Sequence, residues 1–219
     1  MTGIISILLP ARGRPESFAR AVRPLFRLAS DPDRVEVLAR VDDDDPTDYE
    51  SKPSEFGRYL VVRGPRLGYR RVFEHFNELA ALSRGDWLLN WNDDAEMLTS
   101  GWDALMRQAT PHSIQFLRRD ILQHADTTFP LTGRSVYEAM GHIALQTHAD
   151  DWLRVVAERS GTAIWRDDIV FHHYRLSDES SRERDATGYD VPGFHAPEMQ
   201  ARMTEDAQRV RAAAPRDSP

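Results

Sequence analysis

The sequence predicts an α/β fold: a mostly parallel sheet flanked by helices, in a single domain. Three observations predict it. Strand-length apolar runs alternate with helix-period stripes as strand, helix, strand, strand, helix, strand within the first 100 residues, the order of crossover-connected parallel strands. The first apolar run, Ile4 to Leu9, is continuous rather than alternating, as in a strand buried on both faces. The chain has 219 residues, 41% of them hydrophobic, enough for one sizeable core, and no internal repeat or interdomain linker divides it.

Each element follows in order. Ile4 to Leu9 is an apolar run closed by Pro10, the first strand, and residues 11–16 form a polar loop. Phe18, Ala21, Val22, Leu25, Phe26 and Ala29 recur at helical spacing, and Pro24 within that stripe predicts a short or kinked helix. Val35 to Val41 is the second strand, running straight into Asp42-Asp43-Asp44-Asp45-Pro46. Tyr59 to Val62 is the third, with Gly64-Pro65 as its breaker. Tyr69, Val72, Phe73, Phe76, Leu79 and Ala80 line an amphipathic helix ending near Gly85, the expected glycine C-cap. Trp87 to Trp91 is the fourth strand and delivers Asn92-Asp93-Asp94 at its C-terminal end. The second half is less regular. It predicts a strand over 114–117, helices over 135–140 and 151–160, a short strand over 169–171 opening onto His172-His173-Tyr174, and a mobile loop over 176–196. Met199, Met203, Ala207 and Val210 line a terminal helix.

Composition excludes several classes. Charged residues make up 29% with a net charge of −7, and no window approaches the roughly 18 apolar residues of a membrane-spanning helix. The start at Met1-Thr2-Gly3-Ile4 lacks the basic region of a signal peptide, so a cytoplasmic location is expected. The absence of cysteine excludes disulfides, zinc ribbons and a cysteine nucleophile. The acidic total argues against a nonspecific nucleic-acid coat. Of 28 basic residues only Lys52 is lysine. Arginine codon usage explains that bias, and so does phosphate recognition by guanidinium forks.

Four clusters could carry chemistry. Asn92-Asp93-Asp94 places two adjacent carboxylates at a strand end, where a shared divalent cation would relieve their repulsion. The alternative is a cap on the segment Ala95-Glu96-Met97. Asp42 to Asp45 is either a solvated acidic turn or a strand-end acid that hydrogen-bonds a nucleobase or ribose. An EF-hand fails because Thr47 stands where glycine is required, and Arg12-Gly13-Arg14 is no dinucleotide fingerprint. His172-His173 is a structural pair or a ligand. Asp150-Asp151 supplies first-turn helix acids or a catalytic base. Both acidic clusters sit at carboxyl ends of strands, where ligands bind in open α/β sheets.

On these residues the chain resembles the family-2-like glycosyltransferases of GT-A fold, a Rossmann-like sheet, over about the first 100 residues and more weakly to about residue 175. Ser6-Ile7-Leu8-Leu9-Pro10-Ala11-Arg12-Gly13-Arg14-Pro15 follows the family's opening strand and turn. Val41-Asp42-Asp43 matches the acids that recognise uracil and ribose, and Leu67-Gly68 with Asn77 matches the turn and helix that follow the third strand. Arg84-Gly85-Asp86-Trp87 and Asn92-Asp93-Asp94 resemble the glycine-acid step and the metal motif, with Asn92 replacing the first Asp; Gly101-Trp102-Asp103 resembles the segment after it. Residues 132–141 resemble the acceptor-side segment. The family's Glu-Asp base pair reads Ala149-Asp150 here, and His172 matches its late histidine.

The resemblance implies a metal-dependent, inverting transferase that moves a sugar from a UDP-sugar to a hydroxyl. Pro10, Ala11, Arg12, Arg14, Asp42, Asp43, Gly68 and Asp93 would bind the nucleotide. Asp94 and His172 would hold Mn²⁺ or Mg²⁺, and Asp150, or Asp151 in its place, would be the base. Residues 1–100 would form the nucleotide-sugar half, 101–196 the acceptor half, 197–214 the last helix and 215–219 a tail of one catalytic domain. The loop over 176–196 would close over the donor, and Arg175, Arg182 or Arg184 would add charge to the diphosphate. The acceptor would be a glycan, a small molecule, or a hydroxymethylated base in phage-type DNA lying along Arg66, Arg70, Arg71, Arg118 and Arg119; a phage-encoded enzyme would work in the host cytoplasm. Two other functions fit the same sheet: a sugar-nucleotide nucleotidyltransferase, which lacks its glycine-rich loop and phosphate lysine here, and a non-catalytic sugar-binding protein. The sequence does not specify an oligomeric state.

Overall fold

The computed structural model describes residues 3–49, 57–174 and 194–215. Lys52, Arg175, Arg182, Arg184, most of the 176–196 loop and most of the tail lie outside the described residues. The elements run β1 (Ile5–Ala11), α1 (Pro15–Arg27), β2 (Val35–Asp42), β3 (Arg58–Gly64), α2 (Val72–Leu82), β4 (Trp87–Asn90), β5 (Ala95–Met97), α3 (Trp102–Met106), β6 (Ile114–Arg119), β7 (Leu131–Gly133), α4 (Arg134–Met140), α5 (Ala149–Ser160), β8 (Ala163–His173) and α6 (Pro197–Ala212). They form one mixed α/β domain on a single 8-stranded sheet of order β3-β2-β1-β4-β7-β6-β8-β5. Only β7 and β5 run against the others.

The apolar runs fold as their patterning dictates. β1 is fully enclosed between β2 and β4, and its ladder to β4 ends at Leu8 and Asn90. Pro10, which has no N–H to offer, therefore pairs only on the β2 side. α1 starts on Pro15, whose fixed φ suits a first turn, and continues through Pro24 to Arg27 rather than stopping short. Two cores cover the sheet. Ile5, Ile7, Leu9, Val37, Leu89 and Trp91 pack on one face with α1 and α3. Leu8, Leu38 and Leu88 pack on the other with α2, α4, α5 and α6.

Three expectations change. Gly85 does not cap α2; the helix ends through extended Ser83. A Cβ at Gly85 would lie 2.4 Å from Ser6 Oγ and 2.7 Å from the Trp87 carbonyl, so glycine is needed there for close approach to β1. β8 spans 11 residues instead of three. Its first half pairs with β6 through Arg166, and the register then jumps so that Val170 faces Arg118. Arg166 reaches back to Asp168 across this irregularity with two bonds of 2.8 Å. Finally, Ala95–Met97 is a strand paired with His173 to Phe171, so Asp93 and Asp94 cap no helix.

Candidate functional site

The site lies at the carboxyl ends of β1, β2 and β4, where the sheet order steps from parallel strands to β7. The turn after β1 is organised by the acids after β2. Gly13 adopts a φ of +63°, a conformation glycine takes without strain, and donates its N–H to Asp45 Oδ2 at 2.6 Å. Arg12 donates to Asp42 Oδ2 at 2.9 Å and also pairs with Asp44. Burial works to raise the Asp45 carboxyl, but N–H and hydroxyl bonds from Thr47 and the Gly13 N–H hold it below the usual range. Asp44, beside the Arg12 guanidinium, is also held low. Asp42 is 5% exposed, and its Oδ1 is buried without a hydrogen-bond partner among the described residues. Asp43, by contrast, points to solvent and uses its N–H to bond the Gly64 carbonyl at 2.8 Å. Pro10 and Ala11 form the last two pairs of the β1–β2 ladder, so this wall is rigid. Gly68, with φ +73°, turns the chain into Tyr69–Arg71 ahead of α2.

Arg14 leaves the same turn in the other direction and donates to Asp93 Oδ1 at 2.6 Å. Its backbone N–H takes the Tyr49 hydroxyl at 3.2 Å. Asp93 is 2% exposed, and burial pushes its carboxyl up to about 7; Asp94 adds to the rise, while Arg14 opposes it. Asp93 Oδ2 is enclosed with no hydrogen-bond partner among the described residues. Asp94 shows the opposite balance. Burial raises its carboxyl, but His173 and Arg14 outweigh that and keep it ionised.

The histidine beside Asp94 is His173, not His172. His173 Nε2 lies 3.4 Å from Asp94 Oδ1, an oxygen that is buried and has no hydrogen bond. His172 faces the other way and bonds Asp120 Oδ2 through Nδ1 at 2.6 Å. Strand alternation is the reason: Ile169 and Phe171 point into the α1-side core, and His173 shares their parity. That parity was the signal by which the sequence could have separated the two. Phe129 packs edge-on against His173 with ring centroids 5.1 Å apart. Its φ of +54° is a strained conformation for a bulky residue, and it lies within an aromatic cluster with Trp91 and Phe171. Tyr174 closes this side: its N–H bonds the Asp94 carbonyl at 2.8 Å, its hydroxyl bonds Glu96 at 2.5 Å, and the Arg20 guanidinium covers its ring.

Asp150 and Asp151 stand in the first turn of α5, across the sheet from α1. Asp151 lies 3.6 Å from Arg154 Nε on its own helix. The loop before α5 is tied to α2 and to the Tyr69–Arg71 turn by two side chains. Asn77 accepts the N–H of Ile143 at 2.7 Å and donates to the Ala144 carbonyl at 2.8 Å, and Thr147 donates to the Arg70 carbonyl at 2.5 Å. These contacts fix α5's first turn against the Gly68–Arg71 turn.

Among the described residues no three His, Asp or Glu side chains converge as a metal cage. Asp94 Oδ1 and His173 Nε2 nevertheless fit a hard divalent cation: a bare carboxylate oxygen and an imidazole nitrogen meet in one enclosed spot, and a diphosphate with water would supply the remaining ligands.

No family model matches the chain, and no curated protein does. Solved structures do. The mannosyltransferase PcManGT from Pyrobaculum calidifontis, in complex with GDP-Man and Mn²⁺, superposes with a TM-score of 0.66 at 14% identity over 97% of this chain and 74% of that one. S. aureus TarS in complex with UDP-GlcNAc gives 0.65 at 10% identity, over 95% and 70%. TarS in complex with UDP gives 0.59 at 8% identity over 76% of this chain, which spans only 57% of that TarS chain. No helix of the described residues is long and apolar enough to cross a membrane. The chain has a GT-A-like fold.

Proposed function

We propose that the protein is an inverting glycosyltransferase that uses a UDP-sugar. The observation that carries this is the Asp93-Asp94 pair at the end of β4, each with a buried oxygen that has no hydrogen-bond partner among the described residues. A hard cation bound by Asp94 and His173 would neutralise the leaving diphosphate. Asp93 would meet the ribose, and Arg12 and Arg14 line the path between base and diphosphate. The count of acceptors supports uracil over guanine. Asp42 Oδ2 accepts from Arg12, and Oδ1, 3.8 Å from an Arg40 terminal nitrogen, has no hydrogen-bond partner among the described residues and is left to face the base. Uracil offers one such donor, N3–H, whereas guanine offers N1–H and N2–H together.

Asp150 takes the proton from the acceptor hydroxyl as its oxygen attacks the anomeric carbon and the bond to the diphosphate breaks. The acceptor is a glycan or small molecule. Three arginines that a nucleic acid would need are already engaged: Arg71 by Glu74, Arg118 by the Asp167 and Leu122 carbonyls, and Arg119 by Asp126. The test is Mn²⁺-dependent turnover of a UDP-sugar panel, with product mass read on glycan and hydroxymethylated-DNA acceptors. Asp150→Asn should lower transfer by about 10²–10⁴-fold while UDP binding stays unchanged. Near wild-type transfer by that variant would remove Asp150 as the base, and an absence of UDP binding would remove the reading itself.

A further inference from the structure

One buried group on the α2 side of the site has no role in the chemistry above. His75 is 7% exposed on the inner face of α2, and its Nε2 is enclosed with no hydrogen-bond partner among the described residues. The register around it is fixed. Glu78, one turn farther along α2, accepts from Arg40 Nε at 2.6 Å. Arg40 and Asp42 share one face of β2 two residues apart, a step of about 7 Å along the strand. α2 leads from the end of β3 back to the start of β4, so its first turns lie over the carboxyl ends of the strands. One helical turn back from Glu78, about 5 Å, therefore brings His75 beside Asp42.

The donors on this wall can be counted. Arg40 uses Nε on Glu78, one terminal nitrogen on the Val41 carbonyl at 2.6 Å and the other on the Pro65 carbonyl at 3.0 Å, and the first of these terminal nitrogens also forms an ion pair with Asp42 Oδ1 at 3.8 Å, too long for a hydrogen bond. Asp42 Oδ1, balanced in charge by Arg40, and His75 Nε2 are thus both enclosed with no hydrogen-bond partner among the described residues. Burial lowers the His75 pKa, and the Arg40 cation lowers it further against the pull of Asp42. A neutral imidazole that presents one N–H is the form this environment favours.

We infer that His75 is a specificity-determining residue of the nucleobase pocket, donating Nε2–H to uracil O4 while Asp42 Oδ1 accepts N3–H. O4 is the carbonyl farthest from the ribose, and so the one that enters the enclosed end. Cytosine reverses both groups: its N4 amino would face a donor and its bare N3 would face a carboxylate. Each mismatch leaves a buried polar group unpaired. This inference rests on the uridine-nucleotide reading, and its test separates the two.

UDP, CDP and 4-thio-UDP are titrated calorimetrically, with Mn²⁺ present, onto the full chain and its His75→Leu and His75→Gln variants. Wild type should favour UDP over CDP by about 100-fold and should bind 4-thio-UDP, a poorer acceptor at that position, more weakly than UDP. His75→Leu should lose about tenfold in UDP affinity, the worth of about 1.4 kcal/mol, leave CDP unchanged and erase the penalty for the thio analogue. His75→Gln, which keeps an N–H, should recover part of the loss. An unchanged UDP to CDP ratio in folded His75→Leu overturns the role of His75 and leaves the donor reading intact. Where neither variant folds, equal binding of UDP and 4-thio-UDP by wild type overturns it. Wild type that binds no uridine nucleotide overturns both.

Discussion

The two acidic clusters are made of the same residue type at the same kind of position, a strand's carboxyl end, yet Asp93 of the second behaves in the opposite way to Asp44 and Asp45 of the first. Asp44 and Asp45 are held low, Asp44 chiefly by the Arg12 guanidinium and Asp45 by backbone and threonine hydrogen bonds. Asp93, enclosed with only Arg14 to offset burial, is pushed up to about 7. What separates them is the ratio of donors to buried charge. In the first cluster the protein alone satisfies Asp44 and Asp45, while Asp42 Oδ1 has no hydrogen bond among the described residues. In the second, Asp93 is left short of positive charge even though Asp94 is held low by His173 and Arg14, a condition under which a cation and a diphosphate would gain by entering.

The same substitution in the two clusters should therefore give unequal results. Asp94→Asn removes a carboxylate that has no protein hydrogen bond at its buried oxygen. Transfer should fall by about 10³-fold, with Mn²⁺ affinity, read by electron paramagnetic resonance, falling alongside. Unchanged Mn²⁺ affinity in this variant would show that the cation does not use Asp94.

Asp93 gives a prediction about stability with a definite sign. Its folded pKa, about 7, lies above the value of 3.8 for an unburied Asp. A carboxyl raised on folding contributes its stabilisation in full below the unfolded value and loses it as pH rises through the folded value. In a chelator, the protein should lose stability between about pH 4 and pH 8, and Asp93→Asn should abolish that loss. At pH 8 the variant should be more stable than wild type by about 4 kcal/mol, with the difference vanishing at pH 4, in urea melts. The same variant should bind UDP more weakly, since the residue that costs stability is the one placed at the ribose.

The contrast between regions also governs what the sequence reveals. β1 and β4 are buried on both faces and read as apolar runs, and β2 is broken only by Glu36 and Arg40, so the first half and both acidic clusters were legible. The first half of β8, Ala163 to Asp168, was not. It has Trp165 exposed, Arg166 buried and a register jump, so neither an apolar run nor a clean alternation survives. The strands β5 and β7 are three residues long and carry too few positions to show a period. His172 and His173 were legible as a pair, but choosing between them required parity from Ile169 and Phe171. His75 stands three residues after Val72 and four before Leu79, squarely on the α2 stripe. A stripe counted from apolar residues alone passes over it, and only the unpaired nitrogen marks it out.

The smallest expected effect is the one that tests whether satisfaction, rather than acidity, sets the difference. Asp44 is exposed, and its pairing with Arg12 sits in solvent. Such a pair contributes little and is screened by salt. Asp44→Asn should leave the thermal midpoint unchanged, and 1 M salt should not separate it from wild type. UDP affinity should move by no more than about threefold, because Arg12 keeps its 2.9 Å bond to Asp42. A large loss of UDP binding in Asp44→Asn would mean that Arg12 needs both acids to hold its position. The first cluster would then be a positioning device as sensitive as the second, and donor count alone would no longer distinguish them.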